Sequence, residues 1–168
     1  GERLAGANVL LVGAGGAARG VLQPLAEAGC ARIHIVNRTA ARAEELAAAW
    51  RASGVSPQTQ VTAGALASAA LPGGWNLVIN ATASGLQNAA PDLPPGLYAD
   101  GGAAYDMMYG AQPTAFMQQA KADGAALTAD GLGMLVGQAA ESFFIWHGVR
   151  PDAAPVLTAL REALAAGS

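Results

Sequence analysis

The chain is poor in the residues that most often carry reactive chemistry. Cys30 is its one cysteine, so no disulfide can close within the chain, and the reducing cytoplasm is the expected compartment. Two histidines, His34 and His147, stand far apart without metal-ligand spacing around either, and no metal site is expected. Lysine is as scarce: Lys121 stands alone in Gln118-Gln119-Ala120-Lys121-Ala122-Asp123-Gly124, which reads as a solvated helix end. No Ser/His/Asp arrangement can be assembled, and no catalytic residue is assigned. Charged residues make up only 12% of the chain and the net charge is −3, which argues against electrostatic binding of nucleic acid. No apolar run reaches the roughly 18 residues of a membrane span, and no basic segment precedes an apolar leader, so neither membrane nor signal peptide is expected.

What the chain does have is 52% hydrophobic residues in 168, enough for one domain with a substantial core. Its most informative stretch is Val9-Leu10-Leu11-Val12-Gly13-Ala14-Gly15-Gly16-Ala17-Ala18-Arg19-Gly20. A short apolar strand here runs through a glycine turn into a helix. Such a turn seats a pyrophosphate, because no Cβ blocks the backbone and the free N–H groups and helix dipole face the anion. Gly13 would permit the tight turn and Gly15 the close approach. Ala18 stands where a third glycine is usual and is still small enough for close helix–strand packing.

Further along, the pattern alternates. Strands are expected at Asn8–Val12, Arg32–Val36, Gln60–Thr62, Trp75–Asn80, Gly102–Asp106 and Ala125–Thr128. Helices are expected from Ala17 to Ala28 (with Pro24 bending it or costing a hydrogen bond), from an N-cap at Thr39 to Arg51, from Thr114 to Lys121, from Gly131 to His147, and onward from Asp152. This predicts an α/β, Rossmann-like, doubly wound and mostly parallel sheet of about six strands with helices on both faces. Residues 1–150 would form the dinucleotide domain, with 151–168 a C-terminal helix packed on it. Ligands of such sheets lie beyond the carboxyl ends of the strands, which directs attention to Gly13, Asn37, Ala81 and Met107.

The second strand decides between nucleotides. An Asp or Glu there would accept from the 2′-hydroxyl of NAD, but this strand ends Val36-Asn37-Arg38-Thr39, with Arg42 following. Two guanidinium groups and a helix N-terminus suit a 2′-phosphate, and Asn37 can bond the ribose without adding charge; NADP(H) is the expected cofactor. The bland alternative has Thr39 as a plain cap, Arg42 paired with Glu45 and Arg38 solvated.

These motifs, taken with three more, resemble those of the shikimate dehydrogenase family along nearly the whole chain. Asn80-Ala81-Thr82-Ala83-Ser84-Gly85 is similar to that family's Asn-Ala-Thr-Ser-x-Gly turn, Tyr105-Asp106-Met107-Met108-Tyr109 to its Tyr-Asp-Met-x-Tyr, and Asp130-Gly131-Leu132-Gly133-Met134-Leu135-Val136-Gly137-Gln138 to its Asp-Gly-x-x-Met-Leu-x-x-Gln. The resemblance implies reversible reduction of 3-dehydroshikimate by NADPH. It implies a cofactor site of Gly13, Ala14, Gly15, Gly16, Ala17, Asn37, Arg38, Thr39, Arg42, Ala81, Thr82, Ser84, Met107 and Gly131, with Met107 and Gly131 by the nicotinamide. Tyr109 and Gln138 would reach the substrate; from the residues alone, Gln138 reads as a surface or bridging amide and Tyr109 as a half-buried aromatic. Helical spacing does put Gly131, Leu135 and Gln138 on one face. The family's substrate domain, with its catalytic Lys–Asp pair, has no match among these residues, and Lys121 matches no catalytic position. The small-molecule substrate is therefore expected to bind only with that domain present, and the chain by itself to hold cofactor without turnover. Ala83 in place of Ser and Gln112-Pro113-Thr114-Ala115 depart from the family pattern. Other readings are the nucleotide half of a quinate/shikimate dehydrogenase or another NADP enzyme, or a nucleotide-sensing module without catalysis.

Overall fold

Short apolar strands separated by helices pair in parallel, because each crossover returns the chain to the same end of the sheet. The computed structural model, which describes residues 4–82 and 89–167, has this form. Its elements in chain order are β1 (Asn8–Val12), α1 (Gly16–Glu27), β2 (Arg32–Asn37), α2 (Ala40–Ser53), β3 (Gln60–Ala65), β4 (Trp75–Asn80), β5 (Tyr98–Asp106), α3 (Ala115–Ala122), β6 (Leu127–Asp130), α4 (Leu132–His147) and α5 (Ala153–Ala166), with a 3-10 turn at Leu66–Ala69. The sheet order is β3-β2-β1-β4-β5-β6 and every pairing is parallel. The chain winds outward from β1 to one edge, then returns beside β1 and winds to the other. The doubly wound α/β sheet expected from the sequence is therefore present.

Central β1 is buried on both faces, with Val9, Leu10, Leu11 and Val12 all at 0% exposure. One face carries Val9, Leu11, Ile33 and Ile35 against Leu22 and Leu25 of α1 and Leu46 of α2. The other carries Leu10, Val12, Val36 and Val78 against Trp75, Leu97 and Phe116. Ala18 is fully buried under β1, in keeping with its place as the small residue that lets α1 approach. Helix α1 runs through Pro24, whose carbonyl still accepts from Ala28 N–H at 3.0 Å.

Four strands differ at their boundaries from the sequence expectation, and β2 does so by one residue, ending at Asn37. β3 continues three residues further, through Ala63-Gly64-Ala65, because these pair with Ile35, Val36 and Asn37. β5 starts earlier, at Tyr98, across two glycines. β6 begins and ends two residues later, since Gly124 (φ +98°) and Ala125, whose N–H donates to Ala120 O, are used to close α3. Among the described residues no helix is long and apolar enough to cross a membrane.

His34 is half-buried on β2 between two hydroxyls, with Nδ1 2.8 Å from Thr62 Oγ1 and Nε2 3.1 Å from Ser68 Oγ, and its ring stacks on Trp75. Ser68 Oγ donates its own hydrogen to Ala65 O (2.7 Å), so Nε2 of His34 carries the proton and Nδ1 accepts from Thr62. Burial, helped by the Arg32 charge, holds the imidazole below its ordinary value despite the Ser68 contact. A depressed folded pKa means that stability from neutral His34 is fully present above the unfolded value near 6.5 and is lost as pH falls through the folded one. Chemical denaturation between pH 8 and 5 should therefore show the stability advantage of the native protein over His34→Gln shrinking as the pH falls.

Candidate functional site

In an all-parallel sheet the carboxyl ends of the strands gather along one edge, and the crevice opens where the winding reverses. Here that is between β1 and β4. Ala81 N–H donates to Val12 O at 2.8 Å, and Gly13 N–H donates to Val36 O at 2.7 Å. Gly13 has φ +110°, and a Cβ on it would stand 3.1 Å from the Ala81 backbone and 3.2 Å from Thr82 Cγ2. Both the turn and the close approach of β4 therefore require glycine at this position.

Gly15 and Gly16 differ from Gly13 in kind. A Cβ on either would meet nothing within 4 Å, so the protein's own packing does not demand glycine there. Gly15 is the N-cap of α1 with extended backbone, makes no side-chain cap bond, and no acidic residue stands in the first turn. Gly15, Gly16 and Ala17 are exposed while Ala18 is buried, so the first amides of α1, at Gly16 and Ala17, lie on open ground at the positive end of the helix, next to Ala14. An anion, and a pyrophosphate in particular, fits this cradle, and side chains at 15 and 16 would fill it.

The β2–α2 junction lies one strand over, since Val12 pairs with Val36. Thr39 is the N-cap of α2, but its side chain makes no cap bond and no acidic residue follows in the first turn. Arg38 and Arg42 are exposed, and the salt bridges among the described residues are Arg150–Glu141 and Arg161–Asp130, so Arg42 is not paired with Glu45. Asn37 spends Nδ2 on Thr39 O at 2.9 Å, which leaves its carbonyl oxygen to accept. Two arginines, a threonine and a helix N-terminus thus share this junction, and neither arginine is in a salt bridge among the described residues.

Beyond β4 and β5 the chain is held by a network that sequence reasoning missed. Asn80 and Asp106 are register partners at the ends of their strands, both at 0% exposure. Asn80 Nδ2 donates to Asp106 Oδ1 (3.1 Å), Met108 N–H donates to the same oxygen (3.1 Å), and Thr114 Oγ1 donates to Oδ2 (2.6 Å). Asn80 Oδ1 accepts from the backbone N–H and hydroxyl of Thr82. The available signal was a repeated one: β2, β4, β5 and β6 all end in Asn or Asp. Tyr105, beside Asp130 and Asp106, is pushed above its ordinary pKa chiefly by burial and stays a phenol.

Met107 and Gly131 are brought together. Met107 N–H donates to Asn80 O, Gly131 N–H donates to Met108 O, and a Cβ on Gly131 would stand 2.7 Å from the Met107 carbonyl carbon and closer still to its oxygen. Tyr109 and Gln138 are both exposed, and neither side chain forms a hydrogen bond among the described residues. Ser84, with Ala83 and Gly85 of the same motif, lies outside the described residues. A concavity of about 280 Å³ between Leu93, Tyr98 and Phe116, and a second beside Trp50 and Gly54, are lined by none of the site residues above.

The family model described as shikimate / quinate 5-dehydrogenase matches residues 1–85, and that of the shikimate 5'-dehydrogenase C-terminal domain matches 131–161. A shikimate dehydrogenase (NADP(+)) from Bordetella petrii is 76% identical over 163 residues, which is 97% of this chain and 57% of that protein. The chain therefore spans little more than half the length of this relative. Among solved structures, the ligand-free 5-ketofructose reductase of a Gluconobacter strain superposes with TM-score 0.78 at 36% identity, covering 97% of this chain and 58% of that one. A shikimate dehydrogenase in complex with NADP+ superposes with TM-score 0.72 at 30% identity, covering 95% and 55%.

The two classes of glycine separate in their expected behaviour. Gly131→Ala should cost at least about 2 kcal/mol in a urea denaturation, because backbone rather than a flexible side chain must give way. Gly15→Ala should change stability by less than about 1 kcal/mol, since its Cβ enters open space.

Proposed function

The chain belongs to the shikimate/quinate 5-dehydrogenase family, and from that premise we propose that it is the NADP(H)-holding part of a cytoplasmic shikimate dehydrogenase, which interconverts 3-dehydroshikimate and shikimate on the route to aromatic amino acids. The observation that carries the cofactor assignment is the β2–α2 junction. Arg38 and Arg42 stand exposed and without carboxylate partners among the described residues, at the place where an NAD site would present an acid.

The roles of the chain's own residues follow from their positions. The opening amides of α1, at Gly16 and Ala17, bind the pyrophosphate, with Gly13, Ala14 and Gly15 forming the turn beneath it. Arg38 and Arg42 clamp the 2′-phosphate with Thr39 Oγ1, and the free carbonyl of Asn37 accepts from the ribose. Ala81 and Thr82 run along the cofactor. Met107 and Gly131 form the wall for the nicotinamide, and Tyr109 and Gln138 reach hydroxyl groups of the substrate from the open side. When bound, the cofactor supplies the hydride. Proton transfer to the developing alkoxide is assigned to the part of the relatives' length that this chain does not span. The exposed apolar residues of α4 and α5, among them Phe143, Phe144, Val156 and Leu160, are assigned to contact with that part, as residues 151–168 bridge towards it. No nucleic acid or membrane enters this reading.

Calorimetric titration tests the reading directly. NADP+ should bind at least about 10-fold more tightly than NAD+, and Arg38→Ala should lose most of that preference while binding NAD+ as before. Equal affinity for the two nucleotides in the unaltered protein would overturn it. These 168 residues by themselves should oxidise shikimate negligibly in a spectrophotometric assay at 340 nm, and robust turnover would show that the proton donor lies within them.

A further inference from the structure

Helix α5 is the element with least to hold it, for none of its residues is buried. Besides its packing on α4, it has a polar contact to the sheet. Arg161 places both terminal nitrogens on Asp130, Nη1 on Oδ2 at 2.6 Å and Nη2 on Oδ1. The two groups are unequally sheltered: the Asp130 side chain is 5% exposed and that of Arg161 45%.

Arg161 supplies the donor to Asp130 Oδ2, while Oδ1 has a second donor besides it. Asp130 ends β6, and Oδ1 accepts from Leu132 N–H (3.2 Å) at the positive end of α4. What a two-pronged guanidinium adds is direction, because it fixes the plane of the carboxylate as a single bond does not. That plane sets where the first turn of α4 begins. Gly131, between Asp130 and Leu132, lies with its backbone against the Met107 carbonyl and donates to Met108 O at 3.1 Å. Met107 is held on its other side by Asn80 O, and Met108 by Asp106. An unbroken series of hydrogen bonds and backbone contact thus runs from the C-terminal helix through residues 130–132 to Met107.

We propose that Arg161 is a positioning residue for the nicotinamide end of the cofactor site, acting through the Asp130 carboxylate to fix Gly131 against Met107. The proposal rests on the cofactor reading above and deepens it, since it gives α5 a part in aiming the reactive ring. It also predicts a separation. Among the described residues the β2–α2 junction shares no hydrogen bond with this series, so the adenosine end should be indifferent to Arg161.

The test compares two ligands on the purified protein: NADPH, which has both ends, and 2′,5′-ADP, which has only the adenosine end. Arg161→Ala should leave 2′,5′-ADP binding within about twofold and weaken NADPH about fivefold, with a shift in the fluorescence of the bound dihydronicotinamide. Arg161→Lys, which keeps the charge and loses the fork, should fall between. Leu157→Ala on α5 serves as the control for looser docking and should leave the ratio of the two affinities unchanged. An unchanged ratio in Arg161→Ala, or an equal change in Leu157→Ala, would overturn the proposal while leaving the cofactor reading intact. Failure of the unaltered protein to bind either ligand would overturn both.

Discussion

The contact between Gly13 and the backbone of Ala81 is the constraint from which the site follows. It occurs where β1 and β4, distant in sequence and adjacent in the sheet, end side by side. Because the two chains touch there without a side chain between them, the turn into α1 and the turn after β4 diverge from one point. The amides of α1 then face the resulting crevice on one side, and the segment leaving β4 lines the other. A larger residue at Gly13 would push these walls apart at their root, whatever stood further out.

The ends of the neighbouring strands repeat a common chemical device. An apolar strand closes with Asn or Asp, and that side chain turns back to bind the backbone just beyond it. Asn37 holds Thr39 O, Asn80 holds Thr82, Asp106 holds Met108 and Asp130 holds Leu132. Each is a local bond that directs the following loop, and Asn80 and Asp106 also bond each other across the sheet. Loops that would otherwise be the freest segments at this edge are thereby tied to the most rigid part of the molecule. Burial of Asn80, Asp106 and Asp130 is tolerable because their side chains find such partners.

Much of this was legible in the residues because the signals are local. The apolar run Val9–Val12, the glycines after it and the absence of an acid after Val36 each state their consequence within a few positions. The match to family models and to a 76% identical relative accords with the resemblance carried by those motifs. What was not legible depended on partners far along the chain. Ala63-Gly64-Ala65 has no strand preference and extends β3 only because β2 offers a paired edge. Asp130 read as the first letter of a motif, and Arg161, 31 residues later, belongs to none of the motifs. Their union is a tertiary event without a periodic signature. Thr39 was legible as a cap position, yet its hydroxyl is unused by the helix it begins.

The strand order also shapes how such a chain comes together. β1, β2 and β3 are neighbours both in sequence and in the sheet, so they can assemble as soon as residues 8–65 exist. The opposite edge of β1 must then wait for β4, and all four of its residues from Val9 to Val12 are of the kind that water rejects. Until Leu77 to Asn80 arrive, that half-built sheet presents an apolar strand with open hydrogen-bonding groups, the arrangement most prone to pair with another molecule. The same adjacency that opens the crevice in the finished protein thus also closes the edge that would invite aggregation while the chain assembles.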